Sequence, residues 1–375
     1  MTPLCIQINW QRHFGGGEVY TRFFTEALLA LGWSVCLVVE RTANFWNDLG
    51  LKDVRYLPIS HGREIPDVLP KESAVVITHT TLPPDIAEWA ARRHTLIGVI
   101  HMPLAGRSLP GLVHYHRLFA VSNYVRSTLL EHGYRQVHTE PLLGVADLKP
   151  RAATAGPVIR RSEFDWDRCK FRDRVLSWLA PVLEPLRPHP EFTRQPGLSL
   201  GIVSRLTPIK QFPLLFSYLA PVLAEFPTVH VEVFGSGGYA SVRDLKHALA
   251  PIRERVRFWG HQPDPAAVYP QLDYVLSGLP EKEALGLNLI EAQICGTPVI
   301  AVGAPPFNET VVDGSSGFLY SDPRLDGGAS FAALMRRLVS GEARPDPRRA
   351  SDHLAKFSVG AFQQRVARAM EALSS

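Results

Sequence analysis

The chain has 375 residues, of which 46% are hydrophobic and 20% are charged, so it is not disordered throughout, and its length predicts two domains. Its formal net charge is only +4, and no long Lys/Arg block or zinc-finger motif occurs, which argues against nucleic-acid binding. The four cysteines are widely separated, so their spacing favours a reducing compartment over a zinc site or a disulfide framework.

Residues 1–150 alternate short apolar runs with helical patterns. The apolar runs that predict strands are 4–10, 34–40, 74–78, 95–100 and 117–122. Helical patterns occupy about 17–31 and the segment that begins near Asn123. This alternation predicts βαβ units and a parallel sheet. The first run predicts a strand rather than a signal peptide, and no stretch of about 18 apolar residues predicts a membrane-spanning helix.

Residues 151–196 interrupt this pattern with prolines, arginines and bulky aromatics. The segment is long for a connection, and we interpret it as an atypical linker or insertion with one helix near 166–183. The aromatic residues that mix with arginines, as in an interfacial helix, are Phe164, Trp166, Phe171 and Trp178. We therefore expect residues 160–185 to contact the acceptor or a membrane surface. Simple packing on their own domain is an equal alternative.

The alternation resumes and predicts a second α/β domain over residues 197–355. Its predicted strands are 198–205, 230–238, 255–260, 273–278 and 298–303. Residues 356–375 predict one amphipathic helix, which we expect to pack back toward the N-terminal domain. Parallel sheets of this kind bind ligands beyond the carboxyl ends of their strands, so functional residues are expected just after strands.

Two glycine-rich turns follow predicted strands. FGGGEVY (14–20) could let the backbone approach a ligand while the following helix offers free N–H groups to an anion; a simple tight turn is the alternative. Position 20 is Tyr and no Gly-Lys-Ser/Thr follows, which excludes a dinucleotide fingerprint and a P-loop. FGSGGYA (234–240) fits G-x-G-x-x-A, but the next strand ends without the acidic residue that a nicotinamide enzyme needs.

Charged residues also follow the first strand of the second domain, in VSRLTPIKQ (203–211). Arg205 and Lys210 lie on either side of a proline-containing loop. Two cations just past a strand would suit a diphosphate, whereas a solvated surface pair is the equal alternative.

Two other sets of residues resemble metal ligands. Asp165 and Asp167 form an Asp-x-Asp pair, but they lie in the irregular segment rather than at a strand end, so helix N-capping is the expected role. The histidines near strand ends are His13, His61, His79 and His101. They lack close ligand spacing, and we expect satisfied polar side chains that line a cleft.

The segment EALGLNLIEAQICGTPVIA (283–301) predicts a short helix with Gly286 in its first turn. Leu287, Ile290 and Ile294 recur at helical spacing and are predicted to face a core.

Glu291 lies within this apolar run, between Ile290 and Ala292. Burying an unpaired carboxylate is costly, so Glu291 requires a partner. The hydroxyl pair of a sugar or ribose is one candidate, and a nearby Arg or Lys is the alternative.

These motifs together resemble the donor-binding signature of family-4 retaining glycosyltransferases. The resemblance rests on E-x-x-G-L-x-x-x-E-A (283–292), G-x-P-V-I-A (296–301) and NETVVDGSSGFL (308–319), together with GGGE, VSRLTPIKQ and VFGSGG. It covers nearly the whole chain in the right order. It implies the GT-B fold, in which two Rossmann-like parallel-sheet domains face each other across a cleft. The N-terminal domain would bind the acceptor and the C-terminal domain the nucleotide sugar.

The resemblance also implies roles for residues in the second domain. Glu291 would hold the ribose hydroxyls and Glu283 the hydroxyls of the donor sugar. The backbone at Gly286, Leu287 and Asn288 would touch the sugar and phosphate.

Further roles are implied on both sides of the expected cleft. Arg205 and Lys210 would neutralise the leaving diphosphate, and Gly235 would belong to the donor-binding loops. Gly16 and Gly17 would approach phosphate or acceptor. His101 matches a position that lies beside the sugar. The catalytic set is therefore His101, Glu283, Arg205 and Lys210.

This sequence departs from the family pattern in places. The usual E-G-F-G reads Glu283-Ala284-Leu285-Gly286, so we expect altered sugar recognition. The loop VGAPPFNET replaces a Gly-Gly run.

The sequence thus predicts a cytoplasmic, retaining glycosyltransferase that needs neither metal nor cofactor. It would move a hexose-type sugar from a nucleoside diphosphate to a hydroxyl acceptor, with peripheral association at the inner membrane face. A nucleotide-sugar epimerase or phosphorylase of the same fold is the alternative enzyme. A non-catalytic nucleotide-sugar-binding module is the alternative from another class, and a dehydrogenase is more distant.

Overall fold

A computed structural model describes residues 3–151, 157–164, 171–183, 190–342 and 344–373. The chain divides into two compact units. The N-terminal unit comprises Met1–Val145 and Ala355–Ser375, and the C-terminal unit comprises Ala146–Leu354. The second unit therefore includes the atypical segment, and the first includes the C-terminal helix.

The N-terminal unit is built on a six-stranded parallel sheet in the order β3-β2-β1-β4-β5-β6. Its strands are β1 (Leu4–Asn9), β2 (Ser34–Glu40), β3 (Val54–Ile59), β4 (Val75–Thr78), β5 (Thr95–Ile100) and β6 (Arg117–Ala120). Its first helices are α1 (Gly16–Ala30), α2 (Ile65–Val68), α3 (Pro84–Ala91) and α4 (Asn123–Glu131). The central strands are continuous apolar runs because helices cover both faces of such a sheet.

The C-terminal unit repeats this strand order, as β12-β11-β10-β7-β8-β9. Its strands are β7 (Leu198–Val203), β8 (Val229–Phe234), β9 (Val256–Gly260), β10 (Tyr274–Leu276), β11 (Val299–Val302) and β12 (Gly317–Tyr320). Its helices are α5 (Phe171–Leu183), α6 (Phe212–Ala224), α7 (Tyr239–Ala248), α8 (Pro265–Val268), α9 (Leu287–Ile294), α10 (Phe307–Thr310), α11 (Pro323–Asp326), α12 (Ala329–Val339) and α13 (Ser351–Leu354). The two Rossmann-like parallel sheets predicted from the sequence are thus confirmed.

The last helix, α14 (Val359–Glu371), packs against α1 within the N-terminal unit. The ring of Phe362 lies 5.2 Å from that of Tyr20, edge to face, and is fully buried. Arg368 donates to the carboxylate of Glu140 at 2.8 Å. Because Tyr20 is also buried, this apolar contact fastens the end of the chain to the first helix.

The strand order places a switch point in the middle of each sheet, where the connections change direction. In the N-terminal unit it lies between β1 and β4, and in the C-terminal unit between β7 and β10. Loops that leave the carboxyl ends of these strand pairs diverge and leave a crevice, which is the usual ligand site of such sheets.

Sequence patterns missed two strands, β3 and β12, and both lie at sheet edges. Strand β3 contains Pro58 and is largely half-exposed or exposed, and β12 has only four residues. Edge strands are short, tolerate proline and lack a continuous apolar run, so their pattern is weak.

The two ends of the 151–196 segment are not a free linker. Val158 and Phe192 are buried in an apolar cluster of the C-terminal unit, and the ring of Phe192 lies 5.1 Å from that of Trp259. Ile159 and Glu191 pair as an isolated antiparallel bridge. The Asp-x-Asp pair and Trp166 lie outside the described residues.

Candidate active site

In the C-terminal unit, the loops after β7 and β10 touch each other at the switch point. The N–H of Leu279 donates to the carbonyl oxygen of Lys210 at 3.2 Å. A Cβ atom on Gly278 would lie 2.1 Å from the same oxygen, so no side chain fits there. This close approach brings two loops together that are far apart in the sequence.

The contact between these loops creates an ion pair. Lys210 Nζ donates to Glu283 Oε2, and the two side chains are only 21% and 15% exposed. Glu283 Oε1 accepts from the N–H groups of Ala284, at 3.2 Å, and Gly286, at 3.3 Å. Burial opposes ionisation of Glu283, but the Lys210 charge and these hydrogen bonds outweigh it and hold its pKa below the ordinary value. Two predicted site residues are thus brought together as a charged pair.

Gly286 sets the start of helix α9. Its φ of +79° is left-handed, and a Cβ atom would lie 3.0 Å from the ring of Phe307. A larger residue would therefore be strained here in both backbone and packing. Leu287 and Asn288 open the helix and are half-buried. The first N–H groups of a helix lack intrahelical partners and favour anions, so this end of α9 could receive a phosphate.

Glu291 has a partner that the sequence did not reveal. Tyr269 donates its phenolic hydrogen to Glu291 Oε2 at 3.0 Å. No Lys or Arg among the described residues forms a direct ion pair with Glu291, although the charge of Lys210 acts on it. Burial raises the pKa of Glu291 to about 7, although the Tyr269 hydrogen bond and the Lys210 charge act in the other direction. The carboxyl therefore titrates near neutrality.

The predicted core face of α9 was partly wrong. Ile290 is buried, but Leu287 and Ile294 are only half-buried, and Glu291 shares their side of the helix. The buried residues of the helix are Leu289, Ile290, Ala292 and Gln293. An eight-residue helix shows only two turns of pattern, which is too little to fix its phase. Glu291 is accordingly at the margin of the core and not within it.

Two other predicted site residues of this unit, Arg205 and Gly235, lie outside the Lys210–Glu283 pair. Arg205, in the loop after β7, is exposed. Gly235 follows β8, and its N–H donates to the carbonyl of Gly260 at 2.8 Å. A Cβ atom there would lie 1.9 Å from the carbonyl oxygen of Ser204. Loop packing thus suffices to explain this glycine, and its role in donor binding stays a prediction.

The glycine turn of the N-terminal unit opens α1 at the other switch point. The helix begins at Gly16, and its N-cap, Gly15, is extended and offers no side-chain hydrogen bond. A Cβ atom on Gly17 would meet no described atom within 4 Å. The packing of the described residues therefore does not require glycine at position 17, and the space beside it is open.

His101 follows β5 and joins a buried hydrogen-bonded group. Its Nε2 lies 3.1 Å from Nδ1 of His79, and Nε2 of His79 lies 2.8 Å from Oε1 of Gln7. Burial lowers the pKa of His101 to about 4 and that of His79 well below its usual range, so both rings are neutral near pH 7. By contrast, His13 and His61 are exposed.

Sequence reasoning missed two hydrogen-bond partners, Gln7 for His79 and Tyr269 for Glu291. The sequence contains a signal only for Gln7. Gln7 is a polar residue inside the buried strand LCIQIN, and such a residue needs a hydrogen-bond partner. Tyr269 lies in an ordinary stretch between helices, and nothing in its sequence context marks it as a partner of Glu291.

Most of the C-terminal unit matches a known protein family. Residues 197–340 match the family described as Glycosyl transferases group 1. The C-terminal unit contains a glycosyl transferases group 1 domain. This domain holds Arg205, Lys210, Glu283 and Glu291, the residues through which the sequence resembles family-4 glycosyltransferases.

Curated relatives match part of the chain. A D-inositol 3-phosphate glycosyltransferase of Mycobacterium marinum is 33% identical over 168 residues, covering 42% of this chain and 35% of the relative. A phosphatidyl-myo-inositol mannosyltransferase of Mycolicibacterium smegmatis is 28% identical over 170 residues, covering 44% of this chain and 43% of the relative. The chain thus spans less than half the length of these relatives.

The fold is similar over nearly the full length to that of solved structures. The lipopolysaccharide outer core galactosyltransferase WaaB has a TM-score of 0.68 at 16% identity and covers 99% of both chains. The Anabaena protein HepE, solved in complex with UDP and glucose, has a TM-score of 0.67 at 18% identity and covers 99% of both chains. The glycosyl transferases group 1 domain is therefore part of a GT-B fold, as the sequence predicted.

Proposed function

We propose that this protein is a retaining glycosyltransferase that needs no metal ion and moves a sugar from a nucleoside diphosphate to a hydroxyl acceptor. The proposal is carried by one observation. The Lys210–Glu283 ion pair lies at the β7–β10 switch point, where Glu283 also accepts from the N-terminal backbone of α9.

The donor's diphosphate gains negative charge as its bond to the sugar breaks. Lys210 and Arg205 stabilise that charge, together with the first N–H groups of α9. In the described structure Lys210 is paired with Glu283, so a bound diphosphate shares the ammonium with that carboxylate. The pair holds the Lys210 ammonium in place before the donor arrives, which lowers the cost of reorganisation.

The two carboxylates recognise hydroxyl groups of the donor. Glu283 is ionised, and its oxygens accept hydrogen bonds from the sugar. Glu291 accepts from the ribose hydroxyls, and this contact favours its ionised form over the protonated one. The acceptor oxygen bonds to the anomeric carbon from the face that the diphosphate leaves, as the bond to the diphosphate breaks, so the anomeric configuration is retained. The hydroxyl proton passes to the neutral imidazole of His101.

The HepE structure contains UDP and glucose, which makes a uridine nucleotide the first donor to test. A thermal-shift panel of nucleoside diphosphates identifies the base, since a ligand at about 100 times its Kd adds ~2.7 kcal/mol to the free energy of unfolding. Incubation with the matching nucleotide sugars and hydroxyl acceptors then tests transfer. Binding without transfer or donor hydrolysis would favour the non-catalytic module, and a new sugar without transfer would favour the epimerase.

Metal independence and the role of Arg205 are tested in the same assay. The described residues contain no group of three His, Cys, Asp or Glu placed to hold a metal ion. We expect full activity in excess EDTA and a large loss in Arg205→Ala. Loss of activity in EDTA that magnesium or manganese restores would contradict this proposal.

We further propose peripheral contact with the inner face of a membrane through α5. No helix among the described residues is long and apolar enough to cross a membrane. Along one face of α5, Phe171 and Trp178 are 77% and 75% exposed, and Val182 is exposed as well. Arg172 and Arg174 on the same helix are exposed too. Exposed aromatics beside arginines suit an interface with anionic lipids.

A further inference from the structure

Three hydrogen-bonded side chains connect the neighbouring strands β1, β4 and β5 of the N-terminal unit. Gln7 lies within β1, His79 follows β4 and His101 follows β5. Gln7 is fully buried and His79 is nearly so, whereas His101 is half-buried. The group therefore runs from the interior of the sheet to its carboxyl edge.

The inner end of this group sets the orientation of the Gln7 amide. Thr25 Oγ1 donates its single proton to the carbonyl oxygen of Thr21 at 2.8 Å. Thr25 can then only accept from Gln7, whose side-chain amide lies 2.6 Å away. With this hydrogen bond the NH₂ group of Gln7 faces Thr25, and its carbonyl oxygen faces His79.

The amide orientation in turn sets the proton on each imidazole. A carbonyl oxygen only accepts, so His79 carries its proton on Nε2, 2.8 Å from Gln7 Oε1. The other nitrogen of neutral His79 is then an acceptor, and His101 must donate from its own Nε2. Neutral His101 is left with a lone pair on Nδ1.

Aromatic contacts hold both rings in this arrangement. Tyr20 lies edge to face with His101 at 4.9 Å, and Phe24 lies 5.6 Å from His79. Tyr20 is itself anchored because its hydroxyl donates to the carbonyl of Leu142 at 2.8 Å. These buried rings oppose a 180° flip of either imidazole, which would exchange its nitrogen and carbon positions and break the hydrogen bonds.

We propose that Gln7 and His79 are positioning residues that keep His101 in the tautomer with a bare Nδ1, which accepts a hydrogen bond from the acceptor hydroxyl. The outer nitrogen of His101 makes no hydrogen bond within the described part of the chain, so its lone pair is available. A hydroxyl that donates to Nδ1 keeps its oxygen lone pairs for attack, whereas the opposite tautomer would donate to that oxygen. This role rests on the proposed function.

The tautomers can be measured on the ligand-free full-length protein by NMR with ¹⁵N-labelled histidine, and His79→Gln and His101→Gln assign the signals. We expect a slowly exchanging proton on Nε2 of both rings and no proton on either Nδ1. Gln7→Met keeps the side-chain length and removes the amide. It should leave both rings in mixed tautomers and lower kcat about 2- to 10-fold, the worth of one hydrogen bond, with donor KM unchanged.

Thr78→Val is the matched control. Thr78 is a buried neighbour whose hydroxyl donates to Tyr115 at 3.2 Å, outside the group, so its loss should leave the histidine signals unchanged. A proton on Nδ1 of His101 in the wild type would overturn the proposal. Wild-type tautomers that persist in Gln7→Met would overturn the role of Gln7. Because the NMR readout needs no substrate, failure of the nucleotide panel would count against the proposed function and not against the tautomers.

Discussion

Replacement of Glu291 by Gln should change the pH dependence of stability. Burial raises the pKa of this carboxyl to about 7, from an ordinary value of 4.5 that also applies to the unfolded chain. Between these two pH values the folded protein holds a proton that the unfolded chain has released. The free energy of unfolding therefore falls as the pH rises from about 4.5 to about 7 and is constant above that. Glutamine has no proton to lose, so the variant lacks this fall.

The size of the effect follows from the difference between the two pKa values. Each pKa unit is worth ~1.4 kcal/mol, so burial of the ionised carboxylate costs about 3 kcal/mol above pH 7. Glutamine still offers an oxygen to the Tyr269 hydroxyl. Glu291→Gln should thus be more stable than the wild type by up to about 3 kcal/mol, or ~6–12 °C in Tm for a domain of roughly 200 residues.

Calorimetry of the wild type and Glu291→Gln at about pH 5 and about pH 8 measures this effect. Tyr269→Phe is the control, since it removes the hydrogen bond that lowers the carboxyl pKa and should keep the fall or enlarge it. Glu291→Gln should also bind the nucleotide ~10- to 100-fold more weakly at pH 8, because it loses the charged hydrogen bonds to the ribose. An equal fall in Glu291→Gln and the wild type would refute the reasoning.

Three further predictions concern catalysis and the surface. Lys210→Ala should lower kcat about 30- to 1000-fold, since a lost charged contact to the leaving group costs ~2–4 kcal/mol in the transition state; near-normal turnover would contradict its role. His101→Ala should lower kcat more than it raises donor KM, and normal turnover in this variant would contradict a catalytic role for His101. Phe171→Ser with Trp178→Ser should reduce binding to anionic vesicles and raise acceptor KM. Leu325→Ser, at an apolar residue 86% exposed in α11, is the control, and equal vesicle binding by both proteins would contradict the membrane contact.

Local sequence patterns were sufficient to predict most of the helices and strands and the order of the motifs along the chain. Continuous apolar runs predicted the central strands because a parallel sheet is buried on both faces. The glycine turn before Gly17 and the loop with Arg205 and Lys210 follow strands, as predicted. Patterns failed where local context is weak, at the edge strands β3 and β12 and in the phase of the short helix α9.

By itself, the sequence determined two Rossmann-like sheets and the residue types at their carboxyl edges. Only the tertiary structure decided which of these residues meet. Lys210 pairs with Glu283, 73 positions away, because β7 and β10 are neighbours in the sheet. Tyr269, not a cation, contacts Glu291 because α9 packs beside the segment that precedes β10. Hydrophobic periodicity reports the buried face of one element, whereas a hydrogen bond or an ion pair depends on which elements become neighbours, and strand order decides that.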